Sequence, residues 1–283
     1  MSTASAPATT ANLGPGFDRL AMAIGRRCTV TAQVGDSWHV EHLGAIRPPD
    51  GEPDGVLLAA KRAVGDGTPL ELTVDTGVPI GKGLGSSAAA YVAGVAAALA
   101  AIGEEPTPDR VFRYATDLEG HPDQTAAAVF GGLILVPAEG EPMRLPMHPS
   151  LRPIIAVPTT TLPTRKAREV IDRAHSHEVV LRTISRVASL IAGLITGDSQ
   201  LLASAHGDEI HEAPRAALSP EVGEMMALAR RAGAMHAARS GAGPSVVAFA
   251  TSETAPAVVG ALTDFGAEVI EGPMETSGLV VEH

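Results

Sequence analysis

Residues 79–89 read Pro79-Ile80-Gly81-Lys82-Gly83-Leu84-Gly85-Ser86-Ser87-Ala88-Ala89. Glycine at every second position permits left-handed backbone angles and leaves peptide N–H groups bare. Ser86 and Ser87 are residue types that begin helices by capping free amides, and the alanines that follow sustain a helix. Free N–H groups at a helix N-terminus, aligned with the positive end of its dipole, hold an anion. The anion in view is the phosphate chain of ATP. The plainer alternative is a flexible glycine turn ahead of a buried helix. Two other phosphate-binding patterns are excluded. Lys82 is followed by Gly83 where a P-loop needs Ser or Thr, and Gly81, Gly83 and Gly85 lack the dinucleotide spacing.

Five other places carry chemistry. Glu119-Gly120-His121-Pro122-Asp123-Gln124 gathers acids, an imidazole and an amide around a Gly-His-Pro kink, which otherwise reads as a solvated turn. Residues 7–18 are turn-rich, interrupted by Gly14-Pro15-Gly16, and present Asn12 and Asp18. Thr164-Arg165-Lys166-Ala167-Arg168 and His211-Glu212-Ala213-Pro214-Arg215 supply guanidinium groups, whose planar fork suits a carboxylate. A solvated basic helix start and a lone arginine beside a proline are the alternatives. Finally, Arg239-Ser240-Gly241-Ala242-Gly243-Pro244-Ser245 is a glycine turn leading into a β-branched run.

The elements that must position these groups are mixed. Residues 28–34, 38–43, 70–74, 154–157 and 278–281 read as strands. Residues 56–64, 106–118, 179–194, 199–210, 222–231 and 255–265 read as helices. The strands and helices do not alternate strictly, which gives an α+β class. The proline-rich stretch 142–153 marks a boundary between an N-terminal domain, 1–150, and a C-terminal domain, 151–283.

Composition excludes several function classes. Of the 283 residues 45% are hydrophobic but only 3% aromatic, so the core is built from Ala, Val, Leu and Ile. The formal net charge of −11 repels polyphosphate backbones and anionic lipid, so neither nucleic acid nor membrane is an expected partner. It also requires a nucleotide site to be locally positive or to use a metal. Cys28 is the single cysteine, which rules out an internal disulfide and suits a reducing cytoplasm. The first residues have no basic stretch followed by an apolar run, so they do not read as a secretion signal. The uncharged run from Gly83 to Gly103 is alanine-rich and reads as a helix packed inside the protein rather than a membrane span. A homodimer stays open.

The wording Pro-x-x-x-Gly-Leu-Gly-Ser-Ser-Ala-Ala at 79–89 resembles the second motif of the GHMP small-molecule kinases. Ser240-Gly241-Ala242-Gly243-Pro244-Ser245 resembles their third motif. Residues 7–18 and the Glu-Gly-His-Pro-Asp segment resemble the homoserine kinase branch. The resemblance implies a GHMP kinase fold: an α+β phosphate-loop domain and a ferredoxin-like C-terminal domain, with the site in the cleft between them. It implies ATP held by residues 79–89, and Mg²⁺ held by Ser86 and Glu119. L-homoserine would lie against Asn12, Asp18, His121, Gln124, Thr164, Arg168 and Arg215, with Asp18 on its ammonium and the two arginines on its carboxylate. Asn12, His121 and Gln124 would sit nearest the reaction. Two departures stand out. Gln124 replaces the usual Asn, and Asp54-Gly55 stands where an Asn often contacts adenine, so the adenine pocket is unassigned. A GHMP-type kinase acting on another small alcohol, or a silent regulator that binds ATP or an amino acid, remains an alternative.

Overall fold

A computed structural model of the chain describes residues 1–282. Strand β1 (Ser2–Ala11) enters the middle of the first sheet, so residues 7–11 are strand where the sequence suggests loop. The proline that argues against a strand is accommodated by an irregularity: the pairing with β2 (Leu20–Val34) shifts register between Pro7 and Ala8. The loop proper is confined to residues 12–19.

β3 (His39–Leu43) is followed by α1 (Gly55–Val64), whose first turn is capped by Asp54 accepting from the Leu57 amide. β4 (Leu70–Thr76) pairs antiparallel with β2 and parallel with β3. Helix α2 (Ser86–Ala101) is buried along nearly all its length. Its small side chains permit that burial: a Cβ at Gly94 would lie 3.0 Å from the Ala59 Cβ, so α1 and α2 touch almost backbone to backbone. The alanine run is therefore an internal helix, as its composition suggests. The expected serine cap is absent. The N-cap is Gly85 in a left-handed conformation, and no side chain bonds the first amides of α2.

Helices α3 (Pro108–Glu119) and α4 (Pro122–Phe130) form the next layer, and β5 (Leu133–Leu135) and β6 (Met143–Leu145) extend the sheet. The second sheet starts at β7 (Leu151–Val157). After it come α5 (Thr164–Glu169), α6 (His177–Thr196), α7 (Ser199–Ser204), α8 (Glu212–Arg215) and α9 (Pro220–Arg231). Then follow β8 (His236–Arg239), β9 (Val246–Thr251), α10 (Ala255–Asp264) and β10 (Glu268–Glu271). The helix expected over 199–210 stops at Ser204, because Gly207 turns the chain at φ +84° and the Asp208 carboxylate takes the His211 and Glu212 amides ahead of α8.

The second sheet runs β10-β7-β9-β8 with every pairing antiparallel, the ferredoxin-like order. The first runs β11-β1-β2-β4-β3, with β5 and β6 off β2. Its β11 (Val280–Glu282) is the last strand of the chain, which crosses back to pair with β1. By length and composition α6 is apolar enough to cross a membrane. Its Arg182 and Arg186 both pair with Glu209, which ties the helix to the segment before α8.

Candidate active site

A cavity of about 460 Å³ is lined by the loop before α2, the α3–α4 junction, the start of α5 and Arg215. One wall is the loop leading into α2. Gly81, Gly83 and Gly85 all have positive φ, at +70°, +75° and +64°, the region only glycine enters freely. A Cβ on Gly83 would overlap the carbonyl oxygen of Ser240, and one on Gly85 would overlap the Thr9 hydroxyl. The glycine alternation therefore serves close packing as well as bare amides. The Ser240 hydroxyl donates to Gly83 O at 2.7 Å, and the Ser245 amide donates to Lys82 O at 3.2 Å, so the two glycine loops lie against each other.

Residues 79–87 all line the cavity, whereas Ala88 and Ala89 are buried behind it in α2. Lys82 points sideways. Its ammonium donates to the carbonyls of Pro158, Thr159 and Thr160 at 2.8, 2.6 and 2.6 Å, filling all its donors and clasping the loop to the segment after β7. The amides of the loop and the start of α2 are thus the main donors for an anion here.

The polar cluster is built by the α3–α4 junction. Gly120 ends α3 in a left-handed turn and Pro122 begins α4, which brings Glu119, His121, Asp123 and Gln124 to one end of two helices. His121 lies between carboxylates, its Nδ1 3.2 Å from Asp123 Oδ1 and its Nε2 3.6 Å from Glu119 Oε1. Burial disfavours its charged form, but Asp123 and Glu119 outweigh that and raise its pKa above the ordinary value. Burial raises Glu119 as well, with His121 and Ser87 opposing. The hydroxyl bonded to Glu119 belongs to Ser87, at 2.8 Å, with Ser86 beside it on the cavity wall. The Gln124 amide is wedged between the glycine loops: its Oε1 lies 2.8 Å from where a Gly85 Cβ would sit and its Nε2 2.7 Å from that of Gly241.

The opposite wall carries the arginines. Arg168 grips Asp18, and burial, outweighed by Asp18, leaves its pKa raised. Arg215 is buried, its pKa brought down to about 10 by burial and then by the nearby Arg239 and Arg168. Thr164 opens α5 at the rim. Asn12 also lines the cavity, but its amide is used internally: Nδ2 donates to Gly241 O at 3.0 Å and Oδ1 accepts from the Asp18 amide at 3.0 Å. It holds the loop that presents Asp18.

A second cavity of about 190 Å³ continues from the first through Arg47, Glu52, Ile80 and the two serines. Asp54 lies there, but its carboxylate is occupied, capping α1 and pairing with His42 Nε2 at 2.6 Å. Three participants were not singled out by type or spacing: Ser87 as the Glu119 partner, Arg47 on the rim, and His211, which touches both Gly14 and Arg215. His211 stands inside the segment that carries Arg215, so that segment was its only signal.

Residues 54–132 match the model of the GHMP kinases N terminal domain, and residues 190–268 match that of the GHMP kinases C terminal. The chain is 39% identical to the homoserine kinase of Moorella thermoacetica, over 86% of this chain and 85% of that one. To the homoserine kinase of Deinococcus radiodurans it is 36% identical, over 99% and 97%. The chain belongs to the homoserine kinase family of GHMP kinases. A crystal structure of homoserine kinase from Cytophaga hutchinsonii superposes with a TM-score of 0.84 at 28% identity, covering 99% of this chain and 97% of that one. The mevalonate kinase of Methanococcus jannaschii shares the fold alone, with a TM-score of 0.69 at 14% identity over 98% of each chain. Membership in this family makes ATP the phosphoryl donor.

Proposed function

We propose that this chain transfers the γ-phosphoryl group of ATP to the side-chain hydroxyl of L-homoserine, forming O-phospho-L-homoserine on the route to threonine. The observation that carries this reading is the charge layout beside the glycine loop. Asp18, ion-paired with Arg168, and Arg215 all line one cavity, and one anion with two cations matches the ammonium and carboxylate of a free amino acid. A sugar or simple alcohol would offer no charge to the Asp18–Arg168 pair and would leave Arg215 Nη2, which has no protein acceptor among the described residues, without a carboxylate.

Phosphoryl transfer asks little covalent chemistry of a protein; positioning and charge stabilisation supply most of the effect. The amides of residues 81–87 cradle the phosphates at the start of α2. The second cavity is the adenine pocket in this reading, since it leads directly from the phosphate loop. Glu119 and Ser86, joined by Ser87, offer the hard oxygens that suit Mg²⁺, which when bound would neutralise phosphate charge. Asn12 and Gln124 are amides and hardly basic. His121, held toward its charged form by two carboxylates, acts as a hydrogen-bond donor to the hydroxyl or the transferring group. The hydroxyl proton then leaves late, to the phosphoryl oxygens. The division into an ATP-binding half, 1–150, and a C-terminal half, 151–283, belongs to the same reading, supported by the change of sheet between β6 and β7, with β11 returning across it. A cytoplasmic location is proposed with it.

The test is ADP release with homoserine, threonine, mevalonate and galactose as acceptors. Turnover on homoserine well above the other three is expected. Preference for a non-amino-acid alcohol would overturn the reading, and ATP binding without turnover on any acceptor would indicate a regulator.

A further inference from the structure

We propose that His211 is a positioning residue that fixes the Arg215 guanidinium and the loop 12–18 together, working as the Nε2–H tautomer. The ring is fully buried. Its Nδ1 lies 3.0 Å from Arg215 Nη1, and its Nε2 lies 2.7 Å from the carbonyl oxygen of Gly14. A guanidinium has no acceptor, so Nδ1 must accept and the ring hydrogen must be on Nε2, where it donates to Gly14. One imidazole therefore bonds the arginine of one wall and the backbone of the loop that presents Asp18.

The surroundings hold the ring in that pose. Asp208 accepts from the His211 amide at 2.7 Å and from the Glu212 amide at 2.8 Å. Phe17 stacks on the ring with centroids 5.0 Å apart. Arg215 is further fixed by Nε donating to Ala167 O at 2.8 Å and Nη1 to Gly241 O at 3.3 Å. Nη2 has no protein acceptor among the described residues, and Arg215 lines the cavity. His211, Ala167 and Gly241 together thus aim the one uncommitted nitrogen. Burial, with Arg215 and Arg239 adding to it and Asp208 opposing, holds the His211 pKa down at about 4, so the ring stays neutral beside the guanidinium.

The inference rests on reading the cavity as an amino-acid site. Its test is steady-state kinetics of His211→Gln, His211→Asn, Arg215→Ala and the double variant H211Q/R215A. Gln keeps an amide near the Nε2 position but places no acceptor at the Nδ1 position that Arg215 meets, whereas Asn keeps an oxygen near it. His211→Gln is expected to raise KM for homoserine about tenfold with KM for ATP within about twofold, Asn to raise it less, and the double variant to be no worse than Arg215→Ala alone. Equal rises in both KM values, or a full His211→Gln effect added to that of Arg215→Ala, would overturn the positioning role. If Arg215→Ala itself leaves homoserine KM unmoved, the amino-acid reading fails instead. Nitrogen NMR of the wild-type enzyme checks the tautomer without any variant: a hydrogen on Nε2 supports the proposal, and one on Nδ1 ends it.

Discussion

Arg168 donates to Asp18 with both terminal nitrogens, Nη2 to Oδ1 at 2.7 Å and Nη1 to Oδ2 at 3.2 Å, although the two are 150 positions apart. The family resemblance implies opposite poles of the substrate for them, and in the structure they neutralise each other. In the proposed reading a zwitterion enters between them, each pole meeting a counter-charge already in place. Both side chains are about a third exposed, so the pair adds little to stability and is free to open.

Asp18→Asn and Arg168→Ala are each expected to weaken homoserine by roughly tenfold to a hundredfold, the loss of about 1.5–3 kcal/mol from a charge-assisted bond. ATP affinity stays nearly unchanged. Calorimetry with each ligand checks this; equal losses would remove the pair from a homoserine-specific role.

Gly85 offers a second test. On sequence grounds a side chain here obstructs phosphate alone. The structure adds a packing cost, because a Cβ would overlap the Thr9 hydroxyl in the buried strand β1 and crowd Gln124. Gly85→Ala is therefore expected to lower stability by about 1–3 kcal/mol as well as abolish ATP binding. Thermal melts with and without ATP read both effects; an unchanged melting temperature would remove the packing argument.

Burial raises the Glu119 pKa from its ordinary value near 4.5, against the opposing pull of His121 and Ser87. The folded protein then holds this proton more tightly than the unfolded chain does. Ionisation costs stability, and the loss develops as pH rises from about 4.5 through the raised value. Glu119→Gln is expected to raise the melting temperature at neutral pH without Mg²⁺, and to raise the Mg²⁺ needed for activity at least roughly tenfold. An unmoved Mg²⁺ dependence would exclude Glu119 as a ligand.

Gln124 keeps the family's amide on a longer stem, seated between Gly85 and Gly241. A misplacement of about 1 Å at a reacting group can cost on the order of a hundredfold in rate. Gln124→Ala is expected to lower turnover by roughly that much with ATP affinity intact, whereas Gln124→Asn keeps activity within roughly tenfold. The measurement is turnover on homoserine at saturating ATP. Full activity in Gln124→Ala would leave His121 or Asp123 as the group at the reaction.

The sequence by itself determined the local pieces. Alternating glycines gave positive φ at Gly81, Gly83 and Gly85, and the alanine run gave a helix small enough to bury, because both depend on side-chain volume at each position. The motifs placed Asp18, Glu119, His121, Arg168 and Arg215 around one cavity. Only the tertiary structure decided how those groups spend their bonds. Lys82 turns from the anion to three carbonyls, Asn12 braces its own loop, Ser87 takes Glu119, and His211 joins Arg215 to Gly14. Such pairings link residues far apart in the chain, and a side chain with several donors takes whichever acceptors folding brings near it. Spacing records which groups can bond; the packing of the two sheets fixes which of them do.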